Sequence, residues 1–462
     1  MISLSFVYFF LPVFILAYYF TPPKLKWVTA VAGSVVYLFS VDPAALIPLT
    51  VSYLSAYICG IIISNSKKGS LPAKIGLASA VMLNSAVYLL FHRTAYDGAD
   101  LITSIGGRSL FRDLTIVGAA VYPLNAVSYC IDIYRGKYKC EDSFGIVAEY
   151  ISFLPTLPAG PLLRFDKLRD RLKAPEADIE LGAKGVRLFC LGLFRKILLS
   201  NTVYELWRNI MDVPPDSLPM ITAWIGMAAF GLFVYFEISS FSYMAEGLAG
   251  LMGFDIPSNF NKPYAACSFR ELVKRFNCSL FRWSHDYIYK SIAAPGMAKV
   301  FKLFAFVVTV VFGALWYGFS IRCYLFAAAI VLVMLAEKLI EPALKKLPRA
   351  VRRVLFIIVL LMILPLMAIP VPSDASAYIM AMLGANTIAV DMLSEYLIQS
   401  YLLFIVACMV ISGGFLSYFH KKKPGIAEYV STIIQPVWVI AIMLICTAFI
   451  VSGDSSVFGY MF

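Results

Sequence analysis

The sequence predicts an all-α, multi-spanning integral membrane protein, with about 11–13 transmembrane helices and further re-entrant or interfacial helices. Two observations predict it. The 462 residues are 60% hydrophobic and 15% charged, with mean hydropathy +0.80, more apolar surface than one soluble core can hide. Uncharged runs also recur that are long enough to cross ~30 Å of hydrocarbon at about 1.5 Å per residue. Lipid offers backbone groups no partner, so such runs must be helical, and barrel strands would alternate apolar and polar residues instead.

Taken in order, the predicted spans are Ser3–Phe20, Trp27–Val41, Ala44–Ser64, Ile75–Phe91, Leu114–Tyr129, Val186–Asn201, Met220–Ile238, Phe301–Tyr317, Leu325–Ile340, Val354–Ile369, Tyr396–Tyr418 and Thr432–Val451. The first lacks a basic n-region and a small-residue cleavage site, which predicts a span rather than a signal peptide. Phe153–Leu163, Ser268–Ile292 and Tyr378–Ala389 read as interfacial or re-entrant. The loop with Lys345, Lys346, Arg349, Arg352 and Arg353 is basic. The next, Pro372–Gln399, has no Lys or Arg, and the following one holds His420 and Lys421 to Lys423. That alternation predicts an extracytoplasmic C-terminus, and Lys24 and Lys26 after an uncharged Ile2–Phe20 predict the same for the N-terminus. With no linker or repeat, the chain reads as one membrane domain, 1–462, with a core at about 120–345 between flanking helices at 1–119 and 346–462.

The net charge of +11 belongs to such loops, facing anionic membrane lipid, and not to a nucleic-acid partner. Nine cysteines and three histidines lack paired zinc-type spacing, so no metal site is expected.

Three stretches concentrate polar chemistry. In SYCIDIYRGKYKC (128–140), Asp132 and Arg135 sit three apart on one helix face. In FLPTLPAGPLLRF (153–165) the prolines break any helix and place Arg164 beyond a kink. That reads as an interfacial turn or as a re-entrant loop lining a wet cavity. In 259–290, Ser268 and Glu271 form a capping box. Phe269, Leu272, Val273, Phe276, Leu280, Trp283 and Tyr287 then make one apolar stripe, with Arg270, Lys274, Arg275 and Arg282 mostly elsewhere, as in an interfacial amphipathic helix. The third stretch is GALWYGFS (313–320), which sets a phenol deep in an apolar region.

Together, SYCIDIYRG (128–136), AGPLLR (159–164), GLFRKILLSN (192–201), GLAGLMGFDIPSNFNKPY (247–264), SLFRWSHDYIY (279–289) and LWYG (315–318) resemble the membrane-bound O-acyltransferase family. The likeness is to its bacterial branch, which works in alginate O-acetylation and teichoic acid D-alanylation. The resemblance implies a ring of tilted helices around a central funnel and acyl transfer to hydroxyls of an extracytoplasmic cell-envelope polysaccharide. The donor would be a thioester, acetyl-CoA or an acyl-carrier protein, with no bound cofactor. A secreted or membrane-anchored acetyltransferase of esterase type, or the carrier protein, would be the partner.

The family's Leu-Trp-His-Gly and Trp-His-x-Ser-Leu motifs carry two histidines. Here Tyr317 and Asn277 stand in their places. Glu237 to Tyr243 replaces Asp-Phe-Ser-Gly-Tyr-Ser-Asp, and Val273 replaces a Trp. The expected catalytic positions are thus Tyr317, Asn277 and Glu237, with Trp316, Ser279, Arg164, Trp283 and Asp286 as substrate-binding residues. Histidine titrates near neutrality, tyrosine at about 10 and asparagine not at all. Loss of a general base costs about 10²–10⁴ in rate, although both groups can still donate to an oxyanion. His285 follows Asn277 by eight residues, about 80° around a helix and ~12 Å along it, facing elsewhere. His92 and His420 read as interfacial. Glu237 and Asp286 are alternative bases or arginine partners. Three functions stay open: a non-catalytic member that binds donor, lipid or glycan; an O-acyltransferase with a base other than histidine; and a passage protein.

Overall fold

The structure is a computed structural model and describes residues 1–91, 118–174, 178–294, 296–386, 389–413 and 435–452. His92, His420, the lysines at 421–423 and the segments 114–117 and 432–434 lie outside the described residues. The described residues are helical or irregular, with no strand among them.

In chain order the helices are α1 (Ser5–Phe20), α2 (Lys26–Val41), α3 (Leu46–Asn65), α4 (Leu71–Phe91), α5 (Tyr122–Arg135), α6 (Phe144–Ile151), α7 (Phe165–Lys173), α8 (Ile179–Phe194), α9 (Asn201–Met211), α10 (Met220–Leu251), α11 (Phe269–Arg275), α12 (Cys278–Ser284), α13 (Lys299–Leu315), α14 (Ile321–Leu344), α15 (Arg349–Ile363), α16 (Pro372–Met382), α17 (Met392–Gly413) and α18 (Gln435–Val451). Seven helical segments among the described residues are long and apolar enough to span a membrane: those of α2, α3, α4, α10, α14, α15 and α17. That is fewer than the 11–13 expected. Several apolar runs become helices too short by this measure, including α1, α13 and α18. The run at 186–201 also carries Arg195 and Lys196 and passes through a π-helical turn, Arg195–Ser200, between α8 and α9.

The 32-residue α10 is the axis of the second half of the molecule, and its face is buried almost all round. At about 1.5 Å per residue it is ~48 Å long, more than the hydrocarbon thickness. α8, α9, α15, α16 and α17 pack on it. Its closest neighbour is α8, because glycines let the two backbones touch. A Cβ on Gly185 would lie 2.6 Å from the Gly247 carbonyl oxygen, and one on Gly247 would lie 2.5 Å from the Phe189 nitrogen. Small residues at a helix crossing are the usual device where lipid provides no hydrophobic drive. α3 does the same against α4 and α5. It buries Ser52, Ser55, Ala56, Cys59 and Gly60, and its Ser55 Oγ accepts from Asn84 Nδ2 at 2.8 Å.

The expected span at 114–129 is displaced. α5 starts at Tyr122, with Pro123 in its first turn, and continues through Asp132 to Arg135. A charge ends an apolar run on paper, but Asp132 is buried with partners, so the helix carries on. Residues 153–163 are irregular, as expected, and buried: a 3₁₀ turn at Leu154–Thr156 leads into extended chain. Such backbone is tolerated at membrane depth only inside protein or beside water.

The amphipathic helix expected from Ser268 to Tyr287 is two helices. α11 starts as the sequence requires, with Ser268 Oγ accepting from the Glu271 N–H at 3.1 Å. Glu271 reaches back to the Cys267 N–H at 2.9 Å rather than to that of Ser268. Glu337 of α14 accepts from the Phe269 N–H at 2.9 and 3.1 Å, which ties α11 to a spanning helix. α11 then stops at Arg275. Phe276 is extended and Asn277 is left-handed (φ 51°, ψ 60°).

Candidate functional site

The break between α11 and α12 builds the site. Asn277 is the N-cap of α12, where asparagine is favoured both for capping and for tolerating positive φ. Its Oδ1 accepts from the Leu280 N–H at 3.4 Å and from Ser279 Oγ at 3.3 Å. Its Nδ2 donates to Tyr317 Oη at 3.4 Å, across 40 residues of sequence. Tyr317 is delivered by the turn after α13, where the Tyr317 and Gly318 N–H groups bond Ala314 and Leu315 and Gly318 takes φ 135°. The two positions singled out by sequence therefore meet, and what meets is an amide and a phenol.

Ser279 joins the third stretch to them. Its Oγ accepts from the Leu162 N–H at 3.0 Å, so the proline-rich turn, the α12 cap and the Tyr317 turn form one hydrogen-bonded unit. The unit hangs on a residue the sequence reading missed. Asn259 is 1% exposed. Its carbonyl and Oδ1 accept from the Cys278 and Ser279 N–H groups, both at 2.8 Å. Its Nδ2 donates to Ser242 Oγ at 3.1 Å and its N–H to Glu246 Oε1 at 3.2 Å, both on α10. Asn259→Ala removes the side-chain bonds and leaves a buried N–H of α12 unpaired. A loss of about 1–3 kcal/mol is expected, read as an earlier thermal unfolding transition in detergent, while the exposed change Lys346→Ala leaves that transition in place.

Glu237, expected as a base or an arginine partner, is paired with a lysine. Lys196 Nζ, 1% exposed, donates to its Oε1 and Oε2 at 2.8 and 2.7 Å. Ser200 Oγ donates to Oε2 at 2.6 Å. The π-turn turns Arg195 inward too, where its guanidinium lies 4.0 Å from the centre of the Tyr243 ring and donates to Tyr235 Oη and Ser239 Oγ, each at 3.3 Å. The signal for the Lys196–Glu237 pair was present: two opposite charges inside otherwise apolar runs are expected to find each other.

The expected substrate-binding residues divide into two groups. Trp283 and Trp316 are buried in a core cluster with Tyr88, Leu280 and Tyr287. Trp283 stacks on Phe312 (5.5 Å between centroids) and donates to the Leu124 carbonyl at 3.2 Å. Ser279 belongs to the cap unit. Arg164 and Asp286 bond each other, nine residues beyond Asn277 along the α12 rod, about 14 Å at helical rise. Asp286 also pairs with Lys290 at 2.8 Å and approaches His285 Nδ1 at 3.4 Å. His285 is 42% exposed and stacked between Phe281 and Tyr289. Burial first, then Lys290, Lys274 and Arg164, hold its pKa below the ordinary value. Its ring faces this polar cluster rather than Tyr317.

The family model for MBOAT, the membrane-bound O-acyltransferase family, matches residues 143–371, which hold every residue of the Asn277–Tyr317 unit. Over 332 residues the chain is 28% identical to the probable alginate O-acetylase AlgI of Pseudomonas syringae pv. tomato, covering 70% of this chain and 63% of that protein. Over 174 residues it is 25% identical to the peptidoglycan O-acetyltransferase of Helicobacter pylori, covering 37% and 33%. Over 186 residues it is 28% identical to the teichoic acid D-alanyltransferase of Lacticaseibacillus rhamnosus, covering 38% and 45%. The matched chain thus spans less than two thirds of the length of these relatives. On this family-model match and these relatives, the chain belongs to the membrane-bound O-acyltransferase family.

Proposed function

We propose that this protein serves an acyl-transfer system that modifies hydroxyls of an extracytoplasmic cell-envelope polysaccharide, and that it binds donor or acceptor without turning them over. The reading places it in the cytoplasmic membrane with both termini outside and its helices ringed around a funnel. The observation that carries it is the Asn277–Tyr317 contact. An amide does not titrate, and a phenol with a reference pKa of about 10 is a donor at neutral pH, so neither takes a proton from an attacking hydroxyl. Glu237 offers no ready replacement, since Lys196 and Ser200 occupy its oxygens. A thioester, acetyl-CoA or an acyl-carrier protein, would be the donor. A secreted or membrane-anchored acetyltransferase of esterase type would supply the missing chemistry.

A second reading, an active O-acyltransferase with a base other than histidine, is favoured by one observation. Glu246 is a buried carboxylate one hydrogen bond from Asn259, which itself bonds Ser279. One experiment separates the two. The protein in nanodiscs is offered acetyl-CoA or an acylated carrier protein together with polysaccharide, and O-acylation is measured. The wild type is expected at background. Asn277→His with Tyr317→His is expected to gain transfer, because a general base is worth about 10²–10⁴ in rate. Wild-type turnover that Tyr317→Phe or Glu246→Gln abolishes overturns the non-catalytic reading.

A further inference from the structure

Away from the Asn277–Tyr317 pair, three cations gather on one tyrosine. The guanidinium of Arg135 lies 5.5 Å from the centre of the Tyr287 ring, the Lys137 ammonium 5.6 Å and the Arg164 guanidinium 5.9 Å. They come from the end of α5, the turn after it and the proline-rich turn, so the convergence is made by tertiary structure. Tyr287 itself is buried and donates to Asp132 Oδ2 at 2.7 Å. The acids present are Asp132, paired with Lys137 at 2.7 Å, and Asp286, which bonds Arg164 and Lys290. Four permanent cations thus face two carboxylates, and two positive charges are left without a counter-charge.

Arg135 holds one of the two, and the other is left where Arg164 and Lys290 share Asp286. Among the described residues it donates to neutral oxygens: Nη1 to the Asp286 carbonyl at 3.0 Å and Nη2 to Ser291 Oγ at 2.9 Å. Arg135 and Arg164 are half-buried while Lys137 and Lys290 are exposed, so the cluster opens to solvent or headgroups on one side. Like charges brought together by a fold repel, and the repulsion is relieved by an anion that takes several donors at once. A planar guanidinium with donors to spare matches the oxygens of a phosphate.

We propose that Arg135, Lys137 and Arg164, gathered around Tyr287, together with Lys290 beside Asp286, bind the phosphate of a phosphate-bearing ligand. The proposal does not depend on whether the chain transfers acyl groups. A phospholipid headgroup and the phosphates of a soluble ligand present the same chemistry, so the test carries one arm for each source.

The full-length protein is titrated at low salt with inorganic pyrophosphate and with CoA in phosphatidylcholine nanodiscs. Its thermal stability is compared in phosphatidylglycerol and phosphatidylcholine nanodiscs. At least one arm is expected to respond, and to weaken as salt rises from about 0.05 M to about 0.5 M. Arg135→Gln is expected to weaken binding by about tenfold or more, with Arg135→Lys retaining part of it and the exposed Lys346→Gln unchanged. Arg135→Gln is the variant of choice because its present partners are neutral and lose little when it goes. The unliganded unfolding temperature of each variant shows that it has folded. A response to pyrophosphate or CoA assigns the site to a soluble ligand, and a response to phosphatidylglycerol alone assigns it to a headgroup. No response in any arm, or a response that Arg135→Gln and Lys346→Gln change equally, overturns the proposal.

Discussion

Lys196→Met is expected to destabilise the protein by about 3–5 kcal/mol, because it strands a carboxylate in a buried site. Among the described residues the Lys196 ammonium is the cation that pairs with Glu237, and both side chains are almost wholly withdrawn from solvent. The pair is held by two contacts to Lys196 and one to Ser200. The cost arises from the partner left behind and not from the bond itself. The double variant Lys196→Met, Glu237→Met removes both charges and is therefore expected to recover most of the loss, as buried pairs replaced by apolar residues of similar volume generally do. Glu237→Gln should fall with Lys196→Met, since it strands the ammonium instead. The measurement is a double-mutant cycle on unfolding in detergent, in which the loss in the double variant is expected to fall well below the sum of the two single losses. Additive single losses would mean that the two side chains do not act as a pair. A full-stability Lys196→Met would mean that Glu237 has another way to be neutral, and so returns it to consideration as a proton acceptor.

The same pair marks where reading the chain stopped short. That the protein is helical and crosses a membrane many times was legible from unbroken apolar runs, which answer to a single requirement, satisfaction of the backbone in lipid. The start of α11 was legible because a capping box is local. The end of α11 was not. The stripe from Phe269 to Tyr287 keeps helical spacing straight through the break, and nothing within it announces Phe276 and Asn277 as a turn. The turn is imposed from elsewhere: the Asn259 carbonyl takes the Cys278 N–H, and the Asn261 N–H donates to the Arg275 carbonyl at 2.9 Å. In the same way Asp132 and Arg135 were legible as neighbours on a helix face. Their division of labour was not: Asp132 goes to Lys137 and Tyr287, Arg135 to the Asp286 carbonyl and Ser291. Local chemistry shows in sequence, and the choice among distant partners is made by packing. That Tyr317 and Asn277 stand in the places of two family histidines came from family resemblance, and their contact with each other is seen only in the fold.

The other large effect concerns the crossing that sets α8 against α10, and hence sets Arg195 and Lys196 against Tyr243 and Glu237. Gly185→Leu is expected to prevent assembly of a stable fold. The first carbon of the new side chain would already meet the Gly247 carbonyl oxygen at 2.6 Å and the Leu251 nitrogen at 2.9 Å. These are backbone atoms and cannot swing aside, unlike the end of a flexible side chain. Overpacking of a side-chain core costs about 1–3 kcal/mol, but here the helices themselves would have to separate. Separation at Gly185 propagates, since Gly192, two turns on, meets the Ser240 carbonyl oxygen at 2.7 Å by the same measure. Gly182→Leu is the matched control: a Cβ there meets nothing within 4 Å, and it exchanges glycine for a better helix former. The expected result by size-exclusion chromatography in detergent is a monodisperse peak for Gly182→Leu and aggregate for Gly185→Leu. If Gly185→Leu elutes and melts like the wild type, the two helices do not touch backbone to backbone, and the buried Lys196–Glu237 pair cannot be assembled as described.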